Sequence, residues 1–312
     1  MAKPIELTGR EHKLLLDPAE FRKAPGDKMA GKFWARSLRP IIGSGLDARD
    51  SGESRAKGEL SLNPRKQRLV RFFDTEDHLL DRNGFSLRSR VPVESGEPSG
   101  VAEVTLKFRA SDILLAAEIA DGARAVKVKK RKFEEDVAPL QVGPDNGSAK
   151  KVTRAKSHSA YSRFSLSLYL EFDDPLATLG AAFDRFGTFE RALEDAASER
   201  IGGGMVLHSG PTICEWVFEN AAVDLGDTTA EFGLTLWYFA EGRTQRARWK
   251  RAASGEVAPA VAEISFSYDT VDGRVDAAVS RRAMQLFKGM QAVLSVDRRA
   301  TSKTALALPP PR

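Results

Sequence analysis

Charge recurs at every second residue in a series of strand-like stretches, and few folds can accommodate that pattern. Side chains alternate faces along a β-strand, so residues i and i+2 point the same way. In REHKLLL, Glu11 and Lys13 share a face; in FSLRSRV, Arg88 and Arg90 share one opposite Phe85, Leu87 and Ser89. AEVTLKFRA aligns Glu103, Thr105, Lys107 and Arg109 opposite Val104, Leu106 and Phe108. RKFEEDV aligns Lys132, Glu134 and Asp136, and LYLEFDD aligns Tyr169, Glu171 and Asp173. RARWKR aligns Arg246, Arg248 and Lys250, and AEISFSYD aligns Glu263, Ser265 and Ser267. Two architectures satisfy this spacing. Half-buried antiparallel strands put such charges in water. A closed barrel instead turns them into a polar lumen and covers its apolar outside with helices. The spacing alone does not choose.

Composition narrows the class. The chain has 312 residues, 42% hydrophobic and 29% charged, which excludes wholesale disorder, collagen and coiled-coil fibres. No apolar run reaches the ~18 residues of a membrane span, and the longest, ILLAAEIA at 113–120, already contains Glu118. The opening MAKPIELTGREHK lacks the apolar core of a secretory signal, and a single cysteine, Cys214, makes no internal disulfide; both readings predict a cytoplasmic protein. The formal charge of +5 is compatible with an anionic ligand without demanding nucleic acid.

Strands predominate between two Gly-, Pro- and charge-rich stretches at 43–66 and 137–160, which read as flexible insertions. Apolar spacing predicts helices over 175–186, 189–200 and 275–294, and a short one over 17–24. The expected class is α+β with antiparallel strands, one domain over 1–300 followed by a tail at 301–312, frayed beyond about residue 305.

The order of motifs resembles a known family. RFFDTEDHLLDRNGFSLRSR (71–90), TLKFR (105–109), KFEED (132–136), EHKLLL (11–16) and AEISFSY (262–268) fall in the order seen in the CYTH domain, the triphosphate tunnel metalloenzyme superfamily. That resemblance implies an antiparallel eight-stranded β-barrel with helices packed outside. Its lumen would hold a triphosphate on Lys and Arg, and Mg²⁺ or Mn²⁺ on Glu or Asp. Arginine forks bind phosphate oxygens bidentately, and hard divalent cations prefer carboxylate oxygen. Carried over by motif, Lys13, Arg88, Arg90 and Lys107 are the catalytic candidates, with Arg109 and Lys132 binding substrate. Glu11, Glu134, Asp136 and Glu263 are the metal-side acids, and Glu171 or Asp173 are further candidates. The implied activity is metal-dependent hydrolysis of inorganic or organic triphosphate. The alternatives are a tunnel that binds phosphate, polyphosphate or nucleotide without cleaving it, and a class IV adenylate cyclase.

Two positions depart from the family pattern. Gly9 and Ser265 stand where the first and last strands would carry a second carboxylate, which favours the binding-only alternative. The remaining features have simpler readings. The four histidines lack zinc-ligand spacing, and His12 alternates away from Glu11 and Lys13, so it should face outward. KVKKRK at 127–132 reads as a lysine-protected edge rather than a nucleic-acid patch. GLTLWYF at 233–239 reads as a buried strand rather than a base-stacking platform. The expected partner is a triphosphate-containing small molecule or polyphosphate, with no membrane and no nucleic acid, and with room for a homodimer.

Overall fold

In a computed structural model of the chain, the described residues are 6–22, 28–45, 55–61, 63–123, 127–139, 160–172, 176–187, 189–197, 201–239, 257–274, 276–297, 303–304 and 306–308. Among them the strands are β1 (Gly9–Leu16), β2 (Ala56–Lys57), β3 (Lys66–Asp74), β4 (Phe85–Glu94), β5 (Glu97–Pro98), β6 (Glu103–Ala110) and β7 (Lys130–Pro139). They continue with β8 (Ala160–Glu171), β9 (His208–Ser209), β10 (Ile213–Phe218), β11 (Ala222–Asp224), β12 (Thr229–Phe239) and β13 (Val261–Asp269). Nine of them close a barrel in the order β10-β3-β4-β6-β8-β7-β1-β13-β12, with β12 pairing back onto β10.

The eight-stranded, all-antiparallel expectation is corrected on both counts. The barrel has nine strands, and β1 lies parallel to β7, Gly9 opposite Glu134 and Glu11 opposite Asp136. A parallel neighbour needs a long crossover, and here more than a hundred residues of barrel separate the two strands. That pairing is what brings Glu11 beside Asp136.

Register turns the period-two charges into one surface. Residues directly opposite each other share a face. Arg88 lies opposite Thr105, Thr105 opposite Tyr169, and Tyr169 opposite Lys130. Lys107 lies opposite Ser167, which lies opposite Lys132. Arg109 leads through Ser165 to Glu134 and Gly9, and Lys13 leads through Ser265 to Gly233. The charged faces therefore form a continuous lumen wall.

The opposite faces are apolar and covered. Val104, Leu106 and Phe108 pack with Ala116 and Ala120 of the helix Ile113–Gly122 and with Phe183 and Phe186 of the helix Leu179–Phe186. Leu14, Leu16, Ile264 and Phe266 pack with Leu286, Phe287 and Met290 of the helix Ala277–Val293. His12 belongs to this outer layer, as its alternation implied: it is fully buried and stacks on Phe266 with centroids 4.6 Å apart.

Local sequence sets the helix ends. Asp276 caps Ala277–Val293 by accepting from the N–H groups of Ala278 and Val279, and Thr178 caps Leu179–Phe186 through the N–H of Ala181. The expected cap at Asp174 and Pro175 lies outside the described residues. Helix Phe189–Ala197 falls within the predicted 189–200, of which 198–200 lie outside the described residues, and the described part of 17–24 holds a single 3-10 turn, Pro18–Phe21. The helix Ile113–Gly122, capped by Asp112, went unread because ILLAAEIA is apolar on nearly every side; no described helix is long and apolar enough to cross a membrane.

The stretch at 43–66 is not only a loop. It contributes β2 and the buried Leu60. The stretch at 137–160 overlaps the end of β7 and the start of β8, and 140–159 lies outside the described residues. In the FFDT motif, Asp74 is fully buried and accepts from the N–H groups of Thr75, Leu80 and Asp81. That motif aspartate therefore ties the strand end to the following turn.

Candidate active site

Asp136 is the hub of the lumen. Its Oδ1 accepts from Lys13 Nζ at 2.9 Å, and its Oδ2 lies 2.7 Å from Lys107 Nζ and 3.4 Å from Arg109 Nε. Lys13 also lies 2.8 Å from Glu11 Oε2. Burial alone would raise the Asp136 carboxyl, but Lys107, Lys13 and Arg109 outweigh it and hold the group well below the usual carboxylate range. Burial would likewise raise Glu11, and Lys13 holds it down. Burial would lower Lys13, and Asp136 and Glu11 hold it above the ordinary lysine range. Lys107 goes the other way: burial, reinforced by Lys13 and Arg109, brings it down to about 7 despite Asp136.

A second cluster stands on β3, β4 and β10. Glu215, almost fully buried, lies 2.6 Å from Arg68 Nη2 and 3.7 Å from Arg90 Nε, and accepts from Trp237 Nε1 at 2.9 Å. Arg90 also faces Glu103 at 3.6 Å. Burial would raise Glu215, but Arg90 and Arg68 depress it strongly. Between the clusters lies Arg88, whose Nε is buried without a hydrogen-bond partner and which has no ion pair among the described residues. Burial and the neighbouring Arg90 push its guanidinium down to about 9.

The remaining candidates pair locally. Lys132 Nζ lies 2.6 Å from Glu134 Oε1. Burial would lower Lys132, and Glu134 raises it above its ordinary value. Glu263 pairs with Lys303 of the C-terminal segment. Glu171 sits exposed at the rim, paired with Lys129, while Asp173 and the expected strand at 246–250 lie outside the described residues.

The sequence reading thus placed Lys13, Arg88, Arg90, Lys107, Arg109, Lys132, Glu11, Glu134, Asp136 and Glu263 on the lumen wall, where the structure also has them. Glu11 and Asp136 meet at Lys13, but the four acids do not form one cluster. Among the described residues no three His, Cys, Asp or Glu side chains come together to hold a metal ion. Each predicted acid is already matched by a lysine or arginine, and at Gly9 an added Cβ would meet the Tyr268 carbonyl oxygen at 3.0 Å. The donor set does not fit a resident divalent cation.

Three lumen residues escaped the sequence reading: Arg68, Glu215 and Lys303. A lone glutamate inside the buried strand ICEWVF was the available signal, because a buried carboxylate requires a partner.

The lumen contains a cavity of about 440 Å³ lined by Glu11, Lys66, Arg68, Arg90, Glu215, Glu263 and Lys303 among others. A smaller one of about 130 Å³ is lined by Lys13, Arg109, Asp136, Tyr161, Glu263 and Lys303 among others.

No known protein-family profile and no curated protein matches the chain. Solved structures with a similar chain course include a Hippeastrum protein described as an adenylyl cyclase candidate with dominant triphosphatase activity. It is 12% identical, with 96% of this chain and 94% of that one covered and a TM-score of 0.38. A Bacillus halodurans protein described as an adenylate cyclase candidate is 13% identical, with 98% of each chain covered and a TM-score of 0.38. A Pyrococcus horikoshii protein is 10% identical, with 96% and 98% covered and a TM-score of 0.33.

Proposed function

We propose that this chain is a divergent member of the triphosphate-tunnel family and that its lumen binds a triphosphate and cleaves its terminal anhydride. The observation that carries the reading is Arg88, a guanidinium inside the barrel without a carboxylate partner among the described residues. The side chain as a whole is half-buried, but a guanidinium whose Nε is drawn out of water without a partner is costly unless an anion completes it. Lys107, Arg109, Lys13, Arg90 and Arg68 lie in the same lumen, so a phosphate chain beside Arg88 would meet several further cations.

Hydrolysis of such a chain requires little covalent help from the protein. Water adds to the terminal phosphorus as the bridging P–O bond breaks, giving orthophosphate and pyrophosphate from tripolyphosphate. Charge spreads over the phosphoryl and leaving oxygens, and positioned cations lower the barrier by neutralising it. Arg88, Arg90 and Lys107 supply that charge, and Asp136 holds Lys13, Lys107 and Arg109 in place. Among the described residues Mg²⁺ or Mn²⁺ has no protein ligand set. In this reading a divalent cation arrives as the substrate's counter-ion, and no step is assigned to it.

Phosphate release from tripolyphosphate, measured with Mg²⁺, with Mn²⁺ and with chelator, tests the reading. Release by wild type and its loss in a folded Arg88→Ala, Lys107→Ala double variant is the expected result. Gly9 and Ser265, both on the lumen wall without a carboxylate, favour a second reading in which the tunnel binds without turnover. Tripolyphosphate-induced thermal stabilisation without release, lost in the same variant, would select it. Neither release nor stabilisation would overturn both.

A further inference from the structure

The C-terminal segment enters the barrel. Ala307 is fully buried in an apolar cluster with Val70, Phe72, Ile213, Trp237 and Val261, which corrects the expected fraying beyond residue 305 for 306–308, while 309–312 lie outside the described residues. The fit is close: a Cβ on Gly210 would stand 2.1 Å from the Ala307 carbonyl oxygen. Four residues earlier, Lys303 reaches into the lumen. Its Nζ pairs with Glu263 and sits 5.2 Å from the centre of the Trp237 ring. Glu263 and Lys303 are also the residues common to the walls of both lumen cavities, so their ion pair stands between the two chambers.

Glu263 is the closing-strand acid expected to face a metal, and a lysine of the same chain holds it instead. We propose that Lys303 is a lumen cation supplied by the C-terminal segment, which neutralises Glu263 in place of a divalent cation and helps bind the phosphate chain. This rests on the triphosphate-binding reading above and adds to it how the ligand is held. Without Lys303, Glu263 would present a bare carboxylate to an incoming polyanion. With it, the pair is neutral and the remaining N–H groups of the ammonium can face phosphate oxygens. The segment also fills one end of the lumen with apolar side chains. The site is then suited to a short phosphate chain, or to the triphosphate end of a larger molecule, and not to a polymer threaded through the barrel.

Calorimetric titration of tripolyphosphate into the full chain, in chelator and then in Mg²⁺, tests this with wild type, Lys303→Met, Glu263→Gln and the double variant. Methionine keeps an apolar stem over Trp237, and the melting temperature of each unliganded variant reports on folding. Wild type should bind in chelator. Lys303→Met should bind about tenfold or more weakly there, and Mg²⁺ should narrow its ratio to wild type. Adding Glu263→Gln to Lys303→Met should restore binding in chelator and abolish the benefit of Mg²⁺. Glu263→Gln alone should bind at least as tightly as wild type, a readout that survives if Lys303→Met folds poorly. Wild-type affinity in Lys303→Met, weakened binding in Glu263→Gln, or wild-type binding only with Mg²⁺ would each overturn the proposal. If Arg88→Ala still abolishes binding while Lys303→Met does not weaken it, the tunnel reading stands and this inference fails. Absence of wild-type binding under both conditions overturns both.

Discussion

Lys107 and Asp136 stand 2.7 Å apart as an ion pair on neighbouring regions of the lumen wall, yet the lysine is the group burial pushes down to about 7. Asp136 is shared with Lys13 and Arg109, and Glu11 beside Lys13 is the second carboxylate of the cluster, so two acids face three basic groups. This cluster therefore holds one more basic group than acidic. An anionic ligand completes such a site, and the protein carries the cost of the unliganded state in its own stability.

Asp136→Asn should expose that cost. Without its carboxylate, the buried Lys107 and the half-buried Lys13 and Arg109 lose their shared partner, while Glu11 stays paired with Lys13. Breaking a buried pair in this way costs about 3–5 kcal/mol, and chemical denaturation should show a fall of that order. Tripolyphosphate should raise the variant's melting temperature by more than it raises wild type's. Equal stability of variant and wild type would show that the hub does not hold the cations together.

Lys107 also gives binding a pH dependence. In the free fold its ammonium loses its proton as pH rises through about 7, whereas the unfolded chain keeps it to its ordinary 10.5. Between those values only the unfolded chain binds the proton, so this group makes the fold more stable as pH rises. Anion binding runs oppositely, because the charged lysine is what the phosphate meets. Tripolyphosphate affinity should fall as pH rises above about 7, and Lys107→Arg, charged throughout, should flatten the profile. Parallel titrations of the two proteins separate this from ionisation of the ligand.

His12 offers a control from the outer face. Both ring nitrogens are buried without hydrogen bonds, and burial together with Arg10 lowers the ring to about 3. From pH 6.5 down to about 3 the unfolded chain takes up a proton that the fold refuses, so stability falls as pH drops through that window. His12→Phe should remove this slope and stabilise the protein by about 1–2 kcal/mol at neutral pH, since an unsatisfied buried polar group is lost. Its tripolyphosphate affinity should match wild type. An affinity change would mean that the outer layer and the lumen are coupled.

How much of this was legible follows from what is local. Glu11 with Lys13, Arg88 with Arg90, and Lys107 with Arg109 each sit two apart on one strand, so alternation alone put them on common faces. The neighbour of each strand is not local. The parallel pairing of β1 with β7, which sets Glu11 beside Asp136, joins segments distant in sequence and leaves no trace in either. Glu215 was hidden for another reason: at that end the lumen itself turns apolar, with Ile213, Val70 and Trp237 facing in, so ICEWVF shows no alternation. Lys303 is set by where the C-terminal segment packs, and its surrounding sequence reads only as a Pro-rich tail.

Gly210→Ala tests that packing from the barrel side. Gly210 N donates to the Phe72 carbonyl oxygen at 2.9 Å, which fixes the glycine against β3 and leaves the C-terminal segment as the part able to move. An alanine Cβ would meet the Ala307 carbonyl oxygen at 2.1 Å and the Leu308 carbonyl carbon at 3.0 Å. Backbone atoms cannot rotate aside as a side chain does, so the segment must shift, at a cost of about 1–3 kcal/mol. Hydrogen exchange at residues 303–308 should rise while the strands of the barrel keep their protection. Displacing Ala307 withdraws Lys303 from Glu263, so tripolyphosphate binding in chelator should weaken as it does in Lys303→Met and improve relative to wild type in Mg²⁺. Unchanged protection of the segment would show that the close contact at Gly210 does not seat it. Increased exchange with wild-type binding would show that a seated tail is not needed to hold the ligand.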